Sequence, residues 1–123
     1  MGTQTQRTSF LYEELTGQII EACFEVSNEL GTGFLESVYQ KALLIALKDK
    51  KLKAQIEFPI NVTFRSQVVG QFYADILVDD KVIVELKATR SSAGEHEAQL
   101  LNYLKATPYE VGLLLNFGPK PQI

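Results

Sequence analysis

The stretch Phe72-Tyr73-Ala74-Asp75-Ile76-Leu77-Val78-Asp79-Asp80-Lys81-Val82-Ile83-Val84-Glu85-Leu86-Lys87 puts an acid, then an acid and a base, into the most apolar part of the chain. Aromatic and β-branched residues crowd both halves, so each reads as a strand with little polar surface on either face. A carboxylate taken out of water is costly unless it is paired, hydrogen-bonded or bound to a metal. Side chains alternate across a strand, so Glu85 and Lys87 share a face, roughly 7 Å apart. A strict two-residue turn at Asp79-Asp80 would set Asp75 opposite Val84. A three-residue loop at 79–81 sets Asp75 opposite Glu85 and brings both acids to one face, and such loops are common in hairpins. The spacing therefore predicts a three-residue loop or a bulge at 79–81.

Two carboxylates on one face repel unless a positive charge lies between them. A hard divalent ion such as Mg²⁺ suits carboxylate and carbonyl oxygens and keeps several waters. Leu86 offers its backbone carbonyl between the two functional side chains, and Lys87 stands where it can orient a water and stabilise charge growing on a phosphate. The competing reading is a structural ion pair between Glu85 and Lys87, with Asp75 at a strand end. On the residues alone the two weigh evenly.

Around this hairpin the pattern is α-α-β-β-β-α-β. Leu15, Ile19, Ala22, Cys23, Val26 and Leu30 recur at helical spacing over 11–30, and Gly31-Thr-Gly33 ends that helix. A second helix spans 35–50, with Leu35, Val38, Tyr39, Ala42, Leu43 and Ala46 on one side and Lys48-Asp-Lys-Lys51 at its exposed end. Ile56, Phe58, Ile60, Val62 and Phe64 alternate as a strand, which Pro59 assigns to a sheet edge or an irregularity. After a turn at 65–67, strands run over 68–78 and 82–88. A third helix over 95–106 offers Ala98, Leu101, Tyr103 and Leu104 for packing and is stopped by Pro108. A last strand covers 111–117. Residues 1–9 read as a polar tail, 10–118 as one domain and 119–123 as a C-terminal tail.

The 123 residues, 46% hydrophobic and 22% charged, suit one soluble globular domain. No apolar run approaches the roughly 20 residues of a membrane span. The N-terminus has no apolar signal core, and Gln6 stands where a myristoylation motif wants Ser or Thr. One cysteine, Cys23, has no internal disulfide partner, which makes a reducing cytoplasm the default and packing its expected role. A net charge of −3 and a pI near 5.2 argue against a broad basic surface, though not against a local basic groove. No His/Cys cluster supports zinc, no Gly-rich loop is built for phosphates, and His96 reads as a capping or loop contact.

The set Asp75…Glu85-Leu86-Lys87 resembles the core of the PD-(D/E)XK nuclease superfamily, an Asp on one strand and (Asp/Glu)-x-Lys on the next. Gly33-Phe-Leu-Glu36-Ser-Val-Tyr39 is similar to the signature of one branch, the small bacterial and archaeal GxxExxY proteins. His96-Glu-Ala-Gln99-Leu-Leu-Asn-Tyr103-Leu-Lys resembles its downstream helix, with the Gln-x-x-x-Tyr spacing of RecB-like nucleases, and Val111–Gly118 its last core strand. The resemblance runs from about Leu15 to Gly118 and implies a restriction-endonuclease-like α/β core, a mixed sheet of about four strands flanked by helices. It implies Asp75 and Glu85 as metal ligands, Lys87 as the catalytic lysine and Glu36 as a further acid at the start of the second helix. Gln99 and Tyr103, on one helix face, would contact a phosphate or hold Lys87, and Tyr39 would support Glu36.

Each of these residues also has a structural reading. The helix dipole alone favours Glu36 at a helix start, Gly33 suits a special backbone conformation, and Tyr39 and Tyr103 suit half-buried packing with a polar tip. Gln99 sits among leucines, where an unpaired amide would be costly. The functional expectation is a Mg²⁺- or Mn²⁺-dependent nuclease acting on DNA before RNA, alone or as a homodimer or larger assembly. The alternative is a nuclease-fold module of weak or no activity that binds nucleic acid or protein; hydrolysis of another phosphoester is a third, weaker reading.

Overall fold

Acidic residues Glu13 and Glu14 stand in the first turn of α1 (Glu13–Leu30), where they complement the helix dipole. The computed structural model describes residues 12–89, 94–118 and 123. Gly31, at φ 71°, ends α1 with its N–H on the Ser27 carbonyl, and Gly33, at φ 104°, completes the turn into α2 (Glu36–Asp49). Both backbone conformations favour glycine. Lys50 ties the two helices together through Glu21 and, at 3.2 Å, Glu25.

Four strands follow: β1 (Ala54–Phe64), β2 (Gln67–Val78), β3 (Val82–Lys87) and β4 (Val111–Asn116), with α3 (Gly94–Lys105) between the last two. They form one sheet in the order β1-β2-β3-β4. The first two pairings are antiparallel, whereas β3 and β4 run parallel, since α3 carries the chain back across the sheet. β1 is an edge strand, as Pro59 requires. The element order, the mixed sheet and its flanking helices are those of a restriction-endonuclease-like fold, as expected.

One face of the sheet, with Ile76, Val84, Leu86, Leu113 and Leu115, packs on α1 and α2 in the larger core. The other, with Leu77, Ile83 and Leu114, packs on Leu100 and Tyr103 of α3. Gly112 lets α3 come close, because a Cβ there would lie 2.8 Å from Leu100 Cδ1. Ile123 is buried in the larger core. Cys23 is fully buried and its thiol is pushed up to about 12 by loss of solvent, so it packs and does not react. Among the described residues no helix is long and apolar enough to cross a membrane. Residues 1–9, read as a tail, and 119–122 lie outside the described residues.

Several packing expectations need correction. Leu35 is 77% exposed and Val38 is exposed; α2 buries Tyr39 and Leu43 as expected, and Leu47 in addition. In α3 it is Leu100, not Leu101 or Ala98, that joins Tyr103 in the core. Ile56 and Phe64 of β1 are exposed despite their alternation. β1 and β2 run far past the six-residue β3, so a long stretch of their ribbon has no third strand beside it.

Candidate active site

The hairpin loop has three residues. Val78 pairs with Val82, Leu77 with Ile83 and Ile76 with Val84, and the same register carried one step further sets Asp75 opposite Glu85. Asp79 and Asp80 both adopt left-handed backbone conformations, and the Lys81 amide closes the turn on the Val78 carbonyl at 2.9 Å. Asp79 also accepts from the Lys53 amide at 2.8 Å, fixing the start of β1 to the loop.

At Asp75 the backbone ladder ends toward β3 and is interrupted toward β1. Its N–H donates to Glu85 Oε2 at 2.8 Å, and its own Oδ2 accepts from the Leu86 N–H at 2.7 Å. Each carboxylate thus takes the role of a backbone acceptor on the opposite strand. Toward β1 the ladder skips the Glu57–Asp75 position, and Glu57 has a left-handed φ of 54°. The Asp75 carbonyl is taken instead by Gln40 Nε2 of α2 at 3.0 Å, which also reaches Glu57 Oε2 at 3.3 Å. Ala74 packs in one core and Ile76 in the other, so the pleat of β2 reverses at Asp75.

Burial then sets the electrostatics. Glu85 is 4% exposed, and loss of solvent, followed by the charge of Asp75, raises its carboxyl from the ordinary 4.5 to about 7. Asp75 is also raised, by burial first and by the charges of Glu36 and Glu57 in smaller part; the Leu86 amide and Lys87 oppose this. Glu36 is exposed at the start of α2, yet its charge is felt by both acids. Lys87 is half-buried and makes no ion pair within 4 Å with Glu85 or Asp75 among the described residues, so the structural ion pair is not formed.

Gln99 Nε2 donates to the Tyr103 hydroxyl at 3.0 Å. Burial, then the charges of Glu85 and Asp75, raises Tyr103, which places its hydroxyl in the field of the two acids. Neither Gln99 nor Tyr103 is hydrogen-bonded to Lys87. Tyr39 serves the fold: its buried ring stacks on Phe117 with centroids 4.6 Å apart, and its hydroxyl donates to the Gly31 carbonyl at 2.7 Å. It fixes the turn that leads into α2 and makes no hydrogen bond to Glu36. His96 lies in the first turn of α3.

A family model described as the PD-(D/E)XK nuclease superfamily matches residues 13–123. The chain belongs to that superfamily. Comparison with curated proteins and with solved structures gives no match. The PD-(D/E)XK assignment makes this a nuclease-type domain, and nucleases of this superfamily typically use divalent metals.

The donor set fits such an ion. Among the described residues Asp75 Oδ1 and Glu85 Oε1 make no hydrogen bond and no buried side-chain polar atom lacks a partner, so both oxygens reach solvent. Two carboxylates that share a site attract a cation. Among the described residues no three His, Cys, Asp or Glu side chains are gathered into a cage. That leaves two carboxylates and a backbone carbonyl, which suits an ion that keeps several waters.

Gln40 and Glu57 went unnoticed in the sequence. Gln40 lies four residues after Glu36, on the same helix face, which was the available signal. Nothing local marks Glu57, because its placement depends on a left-handed residue inside a strand.

Proposed function

We propose that the protein is a metal-dependent nuclease of the GxxExxY branch that hydrolyses phosphodiester bonds, in DNA before RNA. The observation that carries this reading is the reciprocal Asp75–Glu85 arrangement, which orients both carboxylates and leaves one oxygen of each free. Asp75, Glu85 and the Leu86 carbonyl would hold Mg²⁺ or Mn²⁺. Bound there, the ion supplies Lewis acidity toward the phosphate and lowers the pKa of a bound water.

The chain supplies orientation and charge. Lys87, which makes no ion pair among the described residues, directs its ammonium at a non-bridging phosphate oxygen or at the attacking water. The water oxygen forms a new bond to phosphorus and gives up a proton as the bond to the leaving oxygen breaks, and the leaving oxygen takes up a proton, so that one water is consumed per bond cleaved. Glu36 and the Gln99–Tyr103 pair flank the acids, where they orient water and phosphate. A homodimer working in the cytoplasm completes the proposal, two copies offering a longer grip on nucleic acid than one acidic domain.

Calorimetric titration with Mg²⁺ and with Mn²⁺ tests the metal site, with binding expected in the wild type and lost in Glu85→Ala. Plasmid and oligonucleotide cleavage is expected to fall by about a hundredfold or more in Lys87→Ala. Absence of metal binding in the wild type, or cleavage that survives both substitutions, overturns the assignment. Oligonucleotide binding without cleavage would instead support a non-catalytic nuclease-fold module.

A further inference from the structure

A groove of about 750 Å³ lies beside α3, between that helix and the outer parts of β1 and β2. Its size is that of a ligand site. Phe72 projects into it from β2 and stays 44% exposed, with its ring centroid 5.9 Å from that of Tyr103 on α3. Asn61, Thr63, Gln99 and Asn102 add neutral amides and a hydroxyl to the same walls. Gln71 Nε2 holds the Asn61 side chain through its carbonyl oxygen at 3.1 Å, which fixes the direction of its amide.

We infer that this groove receives unpaired nucleobases of a strand whose backbone lies at Asp75 and Glu85. The inference rests on the nuclease reading and names the form of its substrate. Three features of the groove select bases over other parts of a nucleic acid. A half-exposed aromatic ring on a concave wall is a stacking platform, and every base has a face to set on it. Side-chain amides carry both donors and acceptors, which matches base edges. The two charged residues of the lining, Glu95 and Lys105, are opposite in sign, so the groove has no excess positive charge for phosphates. Within a stacked duplex no base face is open to Phe72.

Tyr103 is the residue shared by the groove and the surroundings of the acids. That residue lines it, takes the Gln99 hydrogen bond, and lies in the field of Glu85 and Asp75. A base held against Phe72 would place its neighbouring phosphates toward the carboxylates.

The test uses the full chain in EDTA, which withholds divalent metal, and measures binding of a fluorescent oligothymidylate, an abasic strand of equal length and a duplex. The oligothymidylate is expected to bind at least about tenfold more tightly than the abasic strand. Phe72→Ala and Phe72→Leu are both expected to remove that preference while leaving abasic binding unchanged; leucine fills the space without offering a ring. Phe72 is half in water, and circular dichroism melts check that both variants fold. Equal binding of abasic and normal strands, binding of the duplex as tight as the single strand, or wild-type preference in Phe72→Leu would each overturn the proposal. Mg²⁺ titration of the same proteins after dialysis to remove EDTA separates the two readings. Base preference without metal binding sinks the nuclease assignment alone, and metal binding without base preference sinks the groove alone.

Discussion

The Asp75 amide donates to the Glu85 carboxylate at 2.8 Å, and Asp75 in return accepts the amide of Leu86, the residue after Glu85, at 2.7 Å. Two adjacent strands thus hold each other by their acids at the point where their backbone pairing ends. Burial raises both carboxyls while these bonds oppose it in smaller part, so the site stores unfavourable charge in the metal-free chain.

That stored charge predicts an unusual pH dependence. Glu85 is raised from 4.5 to about 7, so between those values the folded, metal-free chain keeps a proton that the unfolded chain has released. The stabilisation from this group is complete below pH 4.5 and is lost as pH climbs through 7. At about 1.4 kcal/mol per tenfold, the effect is on the order of 3 kcal/mol. Asp75, raised as well, acts in the same direction. Urea unfolding in EDTA at pH 5 and pH 8, compared between the wild type and Glu85→Gln, isolates the contribution of Glu85. An equal pH dependence in both would refute it.

Glu85→Gln should move stability and function in opposite directions. A carboxamide oxygen still accepts the Asp75 N–H, while the buried charge is gone, so the metal-free variant at pH 8 is expected to gain up to roughly 3 kcal/mol. Mg²⁺ binding should vanish in calorimetry. A variant destabilised at pH 8 would show that the carboxylate is not under electrostatic strain.

Gln40 is a positioning residue, bound to the Asp75 carbonyl at 3.0 Å and to Glu57 at 3.3 Å. Gln40→Ala is expected to weaken Mg²⁺ binding by about tenfold or more, as loss of a group that supports a ligand does. The stability cost should be near 1 kcal/mol. Gln40→Glu, which cannot donate, should not restore affinity; full recovery in that variant would assign Gln40 a purely space-filling role.

Tyr39 separates signature from site. Tyr39→Phe keeps the stack on Phe117 and removes the hydroxyl bonds to Gly31 and Phe34, so thermal or urea unfolding should register a loss of about 1 kcal/mol. Cleavage should stay within about twofold of the wild type. A tenfold fall in activity with stability intact would place the hydroxyl in the reaction.

The order of elements was legible because hydrophobic period is a local property. Alternation marked the strands, the helical repeat marked α1 and α2, and the count of residues between Val78 and Val82 decided the loop and hence the face shared by Asp75 and Glu85. The same period misled where packing was uneven. Ile56 and Phe64 alternate as core residues do, yet they stay exposed on a ribbon that outruns β3. Leu101 looked like part of a packing face, but the close approach at Gly112 turns α3 onto Leu100.

By itself, then, the sequence determined the acid-bearing hairpin, its register and the superfamily to which the chain belongs. Tertiary structure decided that Gln40, from a helix 35 residues earlier in the chain, would hold the Asp75 backbone, and that Glu57 would turn left-handed beside it. It also decided that, among the described residues, Lys87 would be left without an ion pair. Register follows from residue counts along one hairpin, whereas these contacts depend on how α2 packs across the sheet and how far the strands splay. No local pattern encodes either.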